Sequence, residues 1–500
     1  MTTQVIDRPR LRLGLSPLAA RLRDLLESEA LPIASVSVWV VLLAMSMPLL
    51  LVQDSFLAFV DGRLIAQHGL PHTDTLTLWT LGRHWVDQQW GAHLLLYESV
   101  AHGGLAAGAT LGVLLVAAAL AIVACAGRAL GASQRSVAIG AAVPILAAPW
   151  LAQVRTQSFA LAPFVAVYSL LVLDARRPGR RVLLVLPILV VWANLHGSVA
   201  LGAGLVLLYG LRLLVRTSHR GRGALLVLGA PLTLLASPYG LGLAGYYRLM
   251  LFHPPLARYV VEWQPPKVEA PTALLFASVM AAAVLWGGRR KLLTGTERWF
   301  LPILLLSAML AVRNAVWFEL AAAVSLPRLL DAAWPTRITL TPHVRRVNRV
   351  LAVIALAGVF AVLIAQLVRP GRFLDAGRPP AAAAAVSAAA GATGIVLADD
   401  QHADWLLWLR PELAGRIAYD VRFELFNAGE LRRLELLDNE SRPVWHRCGA
   451  GARVVTFASS QREQAARREG VLAPGARKIV HTRTFLAVRQ PGSAAICPRL

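Results

Sequence analysis

Between residues 33 and 368 apolar runs alternate with short arginine-rich segments, and this alternation constrains the fold more than any other feature of the chain. The runs fall at approximately 33–53, 103–127, 137–151, 157–174, 182–196, 199–216, 223–238, 271–287, 299–312, 315–330 and 350–368. A bilayer core is roughly 30 Å thick and takes about 20 apolar residues as a helix. About eleven such runs therefore predict an α-helical polytopic membrane protein. The stretch 182–216 reads either as two helices or as one helix interrupted at Asn194-Leu195-His196-Gly197.

The 500 residues are 56% hydrophobic and 16% charged, with a formal net charge of +22. In a soluble protein that charge would point to nucleic acid. Here the arginines sit in "RALGASQR", "RRPGRR", "RTSHRGRG", "GGRRKLLTGTER" and "RITLTPHVRRVNR", between the apolar runs. Such loops encode orientation, so the expected partner is the lipid bilayer and no nucleic acid is implied. With the basic segment 1–32 in the cytoplasm, alternate counting puts all five loops there too. The other side receives 54–102, the "AQVRT" and "NLHG" turns, 239–270, the "RNA" turn and everything after 368.

Residues 1–32 are too long and too charged for a cleaved signal peptide, and "LAARLRDLLESEA" within them reads as an amphipathic helix on the cytoplasmic surface. The helical domain spans 33–368, with 54–102 as its first outer loop. Residues 369–393 read as a linker and an alanine-rich helix. Residues 394–500 read as a small extracytoplasmic α/β domain, with strands at "GIVLAD", "RIAYDVR", "ARVVTFAS" and "KIVHTRTFLAVR" and helices at "HADWLLWL" and "SQREQAARREG". Cys125, Cys448 and Cys497 lack metal-ligand spacing; for the last two, a disulfide and two free thiols both stand open. No glycine-rich nucleotide signature occurs.

The polar residues that do not suit a lipid-facing helix all reach the outer side of this topology. Asp54, Asp61, Arg63, His84 and Asp87 fall in the first outer loop; Asn194 and His196 end the fifth run. Tyr239 follows the seventh run, Glu262 lies in the next outer loop, and Arg313 joins the ninth and tenth runs. Ionisable groups at membrane depth are costly and face cavities or partners, so their convergence predicts one polar pocket. Each has a plainer reading beside this one. Asp54 suits a helix N-terminus, Asp61 a pairing with Arg63, and Asp74 a turn after Pro71. His84 and Asp87 suit a solvated loop beside Trp85 and Trp90, Glu262 a pairing with Arg258 or Lys267, and Arg313 a hairpin anchor. Asn194 and Gly197 suit a helix end and its turn, which leaves His196 unexplained.

The first outer loop, "DSFLAFVDGRLIAQHGLPHTDTLTLWTLGRHWVDQQWGAHLLLYESVAHGG", resembles the corresponding loop of bacterial multi-pass proteins related to the GT-C glycosyltransferases. The likeness continues through "VWANLHGS", "SPYG", "EWQPP" and "RNAVWFELAAAVSLPRL", and resumes at "DWLLWLRPELAGRIAYDVRFELF", covering roughly residues 35 to 425. It implies a GT-C-like fold in the bacterial cytoplasmic membrane. It further implies a polyprenyl-phosphate-linked sugar as donor and a glycan, lipid or protein of the cell envelope as acceptor.

Asp54 takes the place of the family's first-loop acid, the general base. Arg63 or Arg313 would face the phosphate, and Asp87, His84, His196 and Glu262 would shape the sugar site or hold a divalent cation (Mg or Mn). Where the family commonly carries Trp-Trp-His after the acid, this chain has Phe56-Leu57-Ala58, which removes a metal-ligand candidate. The alternative is a non-catalytic or transport-type protein on the same scaffold, handling a lipid-linked glycan. A membrane anchor for an outer binding module would not need so many spans.

Overall fold

The computed structural model describes residues 17–216, 219–252, 254–266, 271–335, 340–369, 374, 378–439, 442–445 and 451–491. Cys448, Cys497 and Lys267 lie outside them, so the pairings considered for these residues do too. Each of the apolar runs carries a helix, but the helices are uneven in length. Among the described residues, Trp90–Ala129, Ser158–Arg176 and Pro342–Leu367 are long and apolar enough to cross a membrane, and Pro17–Ser28 with Ala30–Met45 forms a bent fourth candidate. Pro271–Arg289 also runs for 19 residues, and the helices of the other runs are shorter. Prolines stand inside the helices Gln134–Ala147, Arg220–Thr233 and Glu297–Leu310, where each removes a backbone donor.

Large apolar side chains such as Leu49, Val215, Leu228 and Phe360 cover the outside, while Asp61, His93, Arg155 and Glu297 are buried. This inside-out distribution suits a chain surrounded by lipid. The Pro17–Ser28 helix meets Ala30–Met45 at 78° and exposes Leu18, Leu22 and Leu25, one stripe at helical spacing. Glu27 on that helix takes Arg349 and Arg345, which ties it to the Pro342–Leu367 helix.

At the far end of the chain, strands β1 (Val396–Leu397), β2 (Val454–Phe457), β3 (Arg477–His481) and β4 (Leu486–Arg489) form one sheet in the order β1-β2-β4-β3. β1 runs parallel to β2, and the other pairs are antiparallel. Helices Pro380–Ala390, Ala403–Leu409, Ala428–Asp438 and Ser460–Arg468 accompany the sheet. The strand expected at 416–422 is reduced to bridges from Ile417 to Thr77 and Val396, because that segment spends its backbone groups on the first outer loop. Leu78 and Trp79 donate to the carbonyls of Ile417 and Ala418, and Gly415 donates to Leu76.

The C-terminal unit is therefore joined to the helical body by a shared core. Trp408 packs on Phe59 and Tyr97, and one apolar cluster runs from Val40 through Leu406 to Ala487. The first outer loop and the C-terminal unit therefore touch through both backbone hydrogen bonds and this core.

Candidate active site

The Gln53–His68 helix begins where the chain leaves the first apolar run. Ser55, not Asp54, serves its N-terminus: the Val52 amide donates to Ser55 Oγ at 3.0 Å. Asp54, Leu57 and Asp61 recur at i, i+3 and i+7, one helix face, and all three line a cavity of about 460 Å3. Gly62 lets this helix approach the start of the Trp90–Ala129 helix: a Cβ there would stand 2.2 Å from the His93 carbonyl oxygen. That approach brings His93 beside Asp61.

Trp85, Asp87 and His93 form a second wall, and Arg155 enters from the turn before the Ser158–Arg176 helix. Glu262 and Arg313 come from two single-turn helices held together by the Val312 amide, which donates to the Gln264 carbonyl at 3.0 Å. His196 completes this side, and Asp400, Tyr419, Arg422 and Glu424 close the cavity from the C-terminal unit.

Arg155 is the hub of the open end. Its Nη1 lies 3.4 Å from Asp54 Oδ2 and 3.1 Å from Glu262 Oε1, while the arginine itself is buried. Enclosure by protein pushes the Asp54 carboxyl above its ordinary pKa; Arg155 opposes that shift and Glu262 adds to it. Arg313 lies over the Trp263 ring, 4.2 Å from the centroid. At this end of the cavity two guanidinium groups stand beside two carboxylates, Asp54 and Glu262.

The inner end is a network of buried charges. His93 Nδ1 lies 2.8 Å from Asp87 Oδ2 and 3.9 Å from Asp61 Oδ2. Neither carboxyl oxygen of Asp61 has a hydrogen-bond partner, and burial pushes its pKa up to about 8, with Arg422 and His93 opposing. Arg422 donates to Asp420 at 2.6 Å and to Asp74 at 2.8 Å, and its guanidinium lies 4.6 Å from the Trp85 ring centroid. Asp74 also accepts from Leu76, Thr77 and Thr80, so its turn role and its buried ion pair coincide. On the wall supplied by the C-terminal unit, burial pushes Asp400 to about 6 and Glu424 to about 7.

Of the residues singled out in the sequence, Asp54, Asp61, Asp87, His196, Glu262 and Arg313 line this cavity. The other four have partners elsewhere. Arg63 donates to the carbonyls of Trp408 and Leu407 instead of meeting Asp61 or a phosphate. His84 is exposed at a backbone bridge with Thr73. Asn194 donates to Ala236 and accepts from Trp90, which stitches the helical hairpin to its neighbours. Tyr239 donates to the Pro71 carbonyl beside His72.

At His196, Nδ1 accepts from the Ser198 amide at 3.1 Å and meets Ser198 Oγ at 2.7 Å. The imidazole is thereby set as the Nε2–H tautomer. Arg155, His93 and Arg422 had not been singled out. Arg155 had one sequence signal, being a lone arginine in an otherwise uncharged turn on the side that carries few basic residues. The described residues hold no group of three or more His, Cys, Asp or Glu arranged for a metal ion.

No known family and no curated protein matches the chain. Among solved structures, it is similar to the crystal structure of ArnT from Cupriavidus metallidurans in the apo state. The identity is 13% and the TM-score 0.47, over 87% of this chain and 93% of that one. The structure of the same protein bound to undecaprenyl phosphate gives 14% identity and a TM-score of 0.48, over 90% of this chain and 97% of that one.

Proposed function

We propose that this protein is an integral-membrane glycosyltransferase of GT-C type that moves a sugar from a polyprenyl-phosphate donor to a hydroxyl of an envelope acceptor. The observation that carries the reading is Arg155 held between Asp54 and Glu262, with Arg313 lining the same cavity. Glycosyl transfer of this kind needs a carboxylate for the acceptor proton next to cations for the leaving phosphate. Both lie at one end of one cavity. The resemblance of the first outer loop supports the same assignment of Asp54.

In the reaction the acceptor oxygen attacks the anomeric carbon, and the bond from that carbon to the phosphate oxygen breaks. The electron pair leaves with the polyprenyl phosphate, which gains one negative charge, and the acceptor proton passes to Asp54. Arg155 and Arg313 stabilise the added charge, since guanidinium groups bind phosphate oxygens in pairs. Arg155 exchanges a carboxylate partner for the phosphate and so frees Asp54 to take the proton. No step is routed through a divalent cation. The reading places the reaction outside the cytoplasm, where a lipid carrier, not a soluble nucleotide sugar, supplies the donor.

The test is donor-phosphate binding. With the full-length protein in lipid nanodiscs, farnesyl phosphate should quench the fluorescence of cavity residues Trp85 and Trp263. Arg155→Ala and Arg313→Ala should each weaken binding roughly tenfold or more, the range for loss of a charge-assisted hydrogen bond. Binding unchanged in both variants would place the phosphate elsewhere.

A further inference from the structure

Asp61 is 1% exposed, lines the cavity, and has two carboxyl oxygens without a hydrogen-bond partner. A buried polar group in that condition is costly unless something else satisfies it. The Gln53–His68 helix makes two turns between Asp54 and Asp61, roughly 10 Å along its axis at about 1.5 Å per residue. Both side chains face the same cavity from that helix, one beside Arg155 and the other beside His93. A sugar whose anomeric carbon stands at the Arg155 end extends its remaining hydroxyls toward Asp61.

The charges around Asp61 select the kind of sugar. Asp61, Asp87, Asp420 and Asp74 lie about Arg422 and His93, with His93 on Asp87 and Arg422 on Asp420 and Asp74. With the buried Asp404 close by, five acids face two bases, so the inner end has no surplus cation for an acidic sugar. Asp61 itself, as acid or as carboxylate, offers two oxygens to two hydroxyls.

We infer that the inner end of the cavity, with Asp61 as its floor and Asp87 and His93 beside it, is the subsite for the donor sugar. It accepts a polyhydroxylated pentose or hexose and rejects a sugar bearing a carboxylate. This inference rests on the glycosyltransferase reading and adds to it the class of sugar.

The test compares farnesyl phosphate with a panel of farnesyl-phosphoryl pentoses and hexoses free of carboxylate and with farnesyl-phosphoryl glucuronate, by fluorescence titration of the full-length protein in nanodiscs. At least one donor of the panel should bind about tenfold tighter than farnesyl phosphate, and the glucuronate should show no gain. In Asp61→Leu the gain should vanish while farnesyl phosphate affinity stays within about twofold of wild type. A panel with no gain, an equal gain for the glucuronate, or a gain that survives Asp61→Leu overturns the subsite. Should Asp61→Leu fail to fold, the wild-type series alone decides. Failure of farnesyl phosphate itself to bind wild type overturns the glycosyltransferase reading and the subsite with it. Farnesyl phosphate binding with no gain from any sugar overturns the subsite alone.

Discussion

Replacing Arg422 by methionine should loosen the first outer loop without touching a residue of that loop. Arg422 is 2% exposed, and it joins Asp420 on its own segment to Asp74, 348 residues away. Methionine keeps the stem and most of the volume but removes the guanidinium, leaving two buried carboxylates without their cation. Breaking a buried pair in this way costs about 3–5 kcal/mol. Asp74 retains Leu76, Thr77 and Thr80 as donors, which places the effect near the lower end, about 3 kcal/mol.

That is a change of roughly 150-fold in a local opening equilibrium. Hydrogen exchange followed by mass spectrometry reads it directly on 72–89. The amides of Asp74, Gly82 and Trp85 in this segment donate to the carbonyls of Arg83, Asp74 and His72. Exchange there should accelerate by about two orders of magnitude. The double variant Arg422→Met/Asp420→Leu, which also removes one stranded charge, should exchange more slowly than Arg422→Met alone. Exchange within about twofold of wild type in Arg422→Met would refute the view that this ion network holds the loop.

Two further perturbations test other parts of the structure. Gly62→Ala places a Cβ 2.2 Å from the His93 carbonyl oxygen and should lower the thermal midpoint in detergent. Gly245→Ala, which meets nothing within 4 Å, should leave the midpoint level or raise it, and equal losses in the two would show that the helix contact at Gly62 is slack. Glu424, raised by burial from 4.5 to about 7, keeps its proton in the folded state over a range where the unfolded chain has lost it. Its contribution therefore declines as pH rises from 4.5 to about 7. Glu424→Gln should accordingly raise the thermal midpoint more at pH 8 than at pH 4.5, and a pH-independent difference would count against the burial assigned to this carboxyl.

Much of the candidate cavity lining was legible in the sequence because the alternation of apolar and basic segments is a long-range constraint. By assigning each polar residue to a side, it put Asp54, Asp61, Asp87, His196, Glu262 and Arg313 together although they span some 260 positions. It could not separate a residue that faces the cavity from one that serves a neighbouring backbone. Arg63 lies two positions from Asp61, and that step carries it to the other side of the helix, onto the Trp408 and Leu407 carbonyls. Asn194 and His196 stand in one turn, and only His196 lines the cavity.

Arg422 was out of reach for a different reason. Its role depends on Asp74 and Trp85, contacts set by how the C-terminal unit packs on the loop, and no periodicity records such a pairing. The helices were legible as apolar runs. Their ends were less so, since Trp90–Ala129 continues the loop for more than ten residues before Gly104, at φ 69°, breaks its course.

If Asp54 takes the acceptor proton in a transfer from a lipid-phosphate sugar, its amide variant must fail in cells. Cells that lack the protein should accumulate a polyprenyl-phosphoryl sugar and lose an envelope glycan, both read by mass spectrometry. The wild-type gene should reverse both changes. Asp54→Asn, present in the membrane at equal abundance and still binding farnesyl phosphate, should reverse neither, since loss of a general base lowers the rate by about 10²–10⁴-fold. Full restoration of the glycan by Asp54→Asn would contradict the assignment.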